Sequence, residues 1–73
     1  MNGNLIVSKF VEYQVKDESG KVLVNTHDRE YAIKVAKEAN VKHVLKRWFK
    51  RIMADVWYKQ DARNYRTTKI QLG

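Results

Sequence analysis

A chain of 73 residues with a net charge of +7, no cysteine and no proline has room for one small domain, residues 1–73, and not for two cores. Such a chain buries only about 60% of its unfolded surface, which excludes a deep substrate cavity. The missing cysteines exclude disulfides and thiol chemistry, and an apolar share of 44% is too high for a disordered chain.

From Leu5 to Lys16 the odd positions Leu5, Val7, Val11, Tyr13 and Val15 are apolar, interrupted only by Lys9. That period of two predicts a half-buried strand. Asp17-Glu18-Ser19-Gly20 is turn chemistry, with Gly20 suited to a left-handed position. Lys21–Thr26 then returns as a second strand and completes a β-hairpin. Next, Asn25-Thr26-His27-Asp28 supplies candidate N-caps. Tyr31, Ala32, Val35, Ala36 and Ala39 recur at helical spacing, predicting a helix from about Asp28 to Ala39, with Asn40 as a C-terminal cap tolerant of positive φ.

The segment 41–59 has two readings. Val44-Leu45, Trp48-Phe49 and Ile52-Met53 alternate with Lys46-Arg47 and Lys50-Arg51. A strand would mix apolar and charged residues on each face and bury charge either way. A helix gathers the apolar pairs on about half its circumference, so a second helix is expected after a break at Asn40. The competing architecture keeps 41–59 extended and gives a four-stranded sheet with one helix. Val56–Lys59 could end that helix or begin a strand, Gln60–Asn64 reads as a polar turn, and Arg66–Leu72 alternates as a final strand. The fold class is α+β: a small two-layer domain whose antiparallel sheet, the N-terminal hairpin plus a C-terminal strand, is covered by one or two helices.

The charge is segregated. Residues 1–40 hold six bases and six acids, whereas residues 41–73 hold nine bases against Asp55 and Asp61. A block of this kind marks an electrostatic footprint for an anionic partner. The candidate partner-binding residues are Lys42, Lys46, Arg47, Lys50 and Arg51, presented outward by the expected helix. A second cluster adds Trp57, Tyr58, Lys59, Arg63, Tyr65, Arg66 and Lys69, where aromatics interleaved with bases suit single-stranded nucleic acid or a protein hot spot. Trp48 and Phe49 are expected in the core.

Catalytic chemistry finds little support. His27-Asp28 is the one adjacent histidine–carboxylate pair, and neighbouring side chains seldom face each other, so His27 is read as a cap or surface residue. Two histidines and no cysteines argue against a metal site, and Gly3, Gly20 and Gly73 stand too far apart for a phosphate loop. No catalytic residue, metal ligand, cofactor or small-molecule substrate is expected. The aliphatic run Leu5-Ile6-Val7 is too short for a signal-peptide core or a membrane span. The apolar face of a basic helix would be needed for the core rather than for a lipid surface.

In length, lack of cysteine and its basic Lys42–Arg51 stretch, the chain resembles small phage-encoded regulators of transcription that bind host RNA polymerase. The resemblance lies in size and charge, carries no motif and transfers no site residue. It implies a cytoplasmic inhibitor or antiterminator working at a surface near nucleic acid. The partners expected are therefore an acidic protein surface, nucleic acid, or both.

Overall fold

The computed structural model describes residues 5–54 and 60–73, with the side chains of residues 7–51 and 62–73. Five elements follow in chain order: β1 (Leu5–Lys16), β2 (Val22–Thr26), α1 (Arg29–Glu38), β3 (His43–Ala54) and β4 (Gln60–Gln71). The strands form one antiparallel sheet in the order β2-β1-β3-β4, and the α+β class is as expected.

The local signals are obeyed. Gly20 takes φ 88° in the β1–β2 turn, and Asn40 takes φ 58° just past α1. Asp17 organises the turn. Its Oδ1 accepts the Ser19 hydroxyl at 2.6 Å and the Ser19 and Lys21 N–H groups at 2.9 Å. The Ser19 hydroxyl first, then the Lys21 N–H, hold its carboxyl below the usual carboxylate range. An acid lowered in the folded state favours folding above its unfolded value of about pH 3.9. That contribution fades as the pH falls through the lowered folded value. An NMR titration should therefore place the Asp17 midpoint below that of an ordinary aspartate, and Ser19→Ala should move it back up.

Asp28 is the N-cap of α1, its carboxylate accepting the N–H groups of Glu30 at 3.0 Å and Tyr31 at 3.2 Å. Removing the cap with Asp28→Ala should cost about 1 kcal/mol, readable as a lower denaturant midpoint. His27, expected as a cap or surface residue, is exposed. Its Nδ1–H donates to the Val11 carbonyl at 2.9 Å, and its ring meets the edge of Phe10 at 5.8 Å between centroids.

The second helix is overturned. Residues 43–54 are the strand β3, paired with β1 from Leu5↔Ala54 to Gln14↔Leu45. The objection to a strand was that one face had to be buried with its charges. The fold avoids this by covering only one end of the sheet. Helix α1 has ten residues and is about 15 Å long, whereas the twelve residues of β1 or β3 run about 40 Å. The molecule is accordingly elongated, 53 × 19 × 17 Å.

Under α1 lies the core. Val15, Ala32, Ala36 and Val44 are fully buried, with Tyr13, Val24, Ile33, Val35, Ile70 and others packed against them. Ala32 and Ala36 sit one helical turn apart, and their small side chains let the helix approach the sheet closely. Beyond the helix, β1, β3 and β4 continue as a three-stranded arm. The expected turn at Gln60–Asn64 is also corrected, because these residues belong to β4. Trp48 opposes Arg66 while Phe49 opposes Asn64, leaving Tyr65 as an extra residue. That bulge shifts the phase of side-chain alternation, so the strand's period cannot be followed back through it.

Candidate nucleic-acid interface on the β arm

Side chains directly opposite each other in a sheet share a face, and the face changes at every residue. The register therefore sorts the basic segment into two sets. Lys46 and Lys50, with Trp48 between them, lie on the same face as α1, beside Lys9, Val11 and Tyr13 of β1. Arg47 and Arg51 lie on the reverse face with Phe49, opposite Glu12 and Ser8. The expected single outward face of four cations is thus split in two.

On the helix-side face, Lys9 is directly opposite Lys50, and Lys50 is directly opposite Arg63 on β4. Two residues along, Val11, Trp48 and Arg66 form the next row. Lys46 Nζ stands 4.4 Å from the Trp48 ring centroid, and the Arg66 guanidinium carbon stands 5.6 Å from it. Lys50 Nζ is 5.8 Å from the ring of Tyr65, which is 48% exposed. The indole Nε1–H of Trp48 is covered and has no hydrogen-bond partner among the described residues. Five cations, Lys9, Lys46, Lys50, Arg63 and Arg66, thus share this face, and the described side chains put no acid on it.

The bulge aims part of this set. Asn64 Nδ2 donates to the carbonyls of Trp48 and Arg66, both at 3.0 Å, and Asn64 Oδ1 accepts the Thr67 hydroxyl at 3.2 Å. This clasp holds the irregular turn of β4, so that Tyr65 reaches the face that already carries Lys50.

The reverse face is arranged differently. Phe10 and Phe49 stack in parallel at 5.1 Å, with Arg51 over Phe10 at 4.9 Å and Arg47 over Phe49 at 5.0 Å. Arg47 Nη1 also meets Glu12 Oε1 at 3.4 Å. Trp48 and Phe49, expected in the core, are instead partly buried on opposite faces of the arm, beneath cations.

Of the remaining predicted site residues, Lys69 opposes Leu45 on the reverse face. Lys42 lies at the far end beside α1, its carbonyl accepting the Leu72 N–H at 2.8 Å. Trp57, Tyr58 and Lys59 fall outside the described residues. The sequence reading missed Lys9 and Asn64. Lys9 had left a signal as the one charge among the apolar odd positions of β1, whereas Asn64 had none, because its role exists only once the bulge forms.

At the helix end, a surface groove of about 630 Å³ runs between the β1–β2 turn and residues 40–43. Charges of both signs line it, Asp17 and Glu18 with Lys16 and Lys42. Among the described residues no three histidine or acidic side chains cluster to hold a metal ion, and no helix is long and apolar enough to cross a membrane. No protein-family model matches this chain, nor does any curated protein or solved structure.

Proposed function

We propose that this chain is a non-enzymatic regulatory module that grips a nucleic-acid backbone through the helix-side face of its β arm. The residues assigned to contact are Lys9, Lys46, Lys50, Arg63 and Arg66, with Tyr65 beside them. One observation carries the reading: Lys9 and Lys50 directly oppose each other. Like charges in that position destabilise a sheet, and a phosphate backbone laid across them converts the repulsion into attraction. Neutralising phosphates also releases condensed counterions, the main sequence-independent source of affinity. Such a module works in the cytoplasm, and in the host's cytoplasm if phage-encoded.

The test is a binding titration on labelled nucleic acid at several salt concentrations. Five phosphate contacts on a duplex should give a log–log slope of about −4.5, at 0.9 per contact. A flat salt response, or no binding at low salt, contradicts the reading.

A second reading is favoured by the reverse face. Its Phe10–Phe49 stack with Arg47 and Arg51 has the aromatic and arginine character of a protein hot spot. On that reading the arm docks on the protein of a transcription machine, such as host RNA polymerase, and inhibits transcription or termination. Capture of the polymerase that survives nuclease treatment and is abolished by Phe49→Ala supports it. Capture lost on nuclease treatment returns the polymerase to the role of bystander on shared nucleic acid.

A further inference from the structure

Resting on the nucleic-acid reading above, we infer that the ligand is duplex DNA, with the β arm lying along its major groove. Binding of a single strand on the rings of the arm is the alternative that the geometry disfavours.

Single-strand binders stack successive bases on open aromatic rings. Here the rings are already occupied. Trp48 has Lys46 at 4.4 Å and Arg66 at 5.6 Å from its centroid, and its Nε1–H is covered. On the same face Tyr65 is open, 48% exposed, but it stands alone beside a lysine. A strand threaded over this surface would find cations where it needs ring faces. A duplex needs the reverse: cations spread over an area, with no base to be unstacked.

The dimensions agree with a groove. Three strands spaced about 4.8 Å apart put β1 and β4 about 10 Å from each other. The B-form major groove is about 12 Å wide and admits a two-stranded β-ribbon, so β3 and β4 enter while β1 stays at the rim. Lys9 on β1 then reaches one wall, and Arg63 and Arg66 on β4 reach the other. Lys46 and Lys50 lie between them on the central strand, about 13 Å apart along it. Helix α1, confined to the far end of this face, leaves the arm free to enter. The major groove of an RNA duplex is deep and narrow and excludes such an arm.

The experiment measures anisotropy of the full chain with four probes of one sequence: a 20-base-pair DNA duplex, each of its two single strands, and the corresponding RNA duplex. At about 0.1 M salt the DNA duplex should bind at least tenfold more tightly than the other three. Tyr65→Ala should weaken duplex binding by less than threefold, whereas loss of a stacked base costs about fivefold or more. A single strand bound as tightly as the duplex, or a large loss with Tyr65→Ala, overturns the groove inference and leaves the nucleic-acid reading standing. An RNA duplex bound as tightly as DNA overturns the choice of major groove. No binding to any of the four overturns both.

Discussion

Replacing Lys46 and Lys50 together with alanine should weaken duplex binding about 60-fold at about 0.1 M salt and reduce the salt slope by about 1.8. Stability should change by less than about 1 kcal/mol, because the lysines' lost ring contacts to Trp48 and Tyr65 are offset by relief of the Lys9–Lys50 opposition. Their immediate neighbours should behave in the opposite way. Arg47→Ala with Arg51→Ala removes two ring contacts and the pair to Glu12 from the reverse face. That double variant should lose about 1–2 kcal/mol of stability while binding within threefold of the parent. The contrast depends on β3 being extended. In a helix the two pairs would share one outward face and the two variants would be hard to tell apart. Circular dichroism melts beside anisotropy titrations separate the outcomes, and equal binding losses in both variants would refute the two-faced arm.

Among the described residues, Val44→Ala should be one of the two most damaging truncations for folding, with Val15→Ala the other. Val44 is fully buried where α1, β1 and β3 meet, and Val15 is the other fully buried large side chain there. Deleting two methyl groups at such a site costs about 2 kcal/mol once the cavity is included. For a domain of this size that lowers Tm by about 8–16 °C. Val7→Ala, at a position 53% exposed out on the arm, should stay within about 0.5 kcal/mol. Comparable losses at both positions would mean that the arm carries part of the core.

The two variants probe two unequal parts of one sheet, and the sequence exposed them unequally. The hairpin, its Gly20 turn, the Asp28 cap and the Asn40 terminus were legible because each depends on a few neighbouring residues. A short polar side chain accepts backbone N–H groups, and a glycine or asparagine tolerates positive φ. β3 was not legible, because its pattern of paired apolar and paired basic residues is a good amphipathic helix in isolation. What makes it a strand is remote: a twelve-residue β1 to pair with, and a helix too short to cover both ends of the sheet. Lys46, Arg47, Lys50 and Arg51 are then only half-buried, with their charged ends set over aromatic rings.

The site follows the same division. The concentration of charge in the second half singled out Lys46, Lys50, Arg63 and Arg66, which the strand register brings to one face. It did not reveal that Arg47 and Arg51 belong to a different surface, since facing depends on strand period. It also hid Lys9, which lies in the neutral half of the chain and joins the others only through β1–β3 pairing. Gln60–Asn64 looked like a turn because it is polar, and the bulge at Tyr65 kept the alternation of Arg66–Leu72 from being followed back into it. The +7 charge of the whole chain thus divides, on folding, between a helix-side face carrying Lys9, Lys46, Lys50, Arg63 and Arg66 and a reverse face where Arg47 pairs with Glu12.

The most direct measurement is an NMR titration of the full chain with a short DNA duplex, following backbone amides and the Trp48 indole. If the helix-side face of the arm is the interface, the largest shifts fall at Lys9, Lys46, Trp48, Lys50 and Arg66, while α1 and the Asp17–Gly20 turn stay still. Shifts confined to α1 and that turn, or spread evenly over Arg47, Phe49 and Arg51, would contradict it.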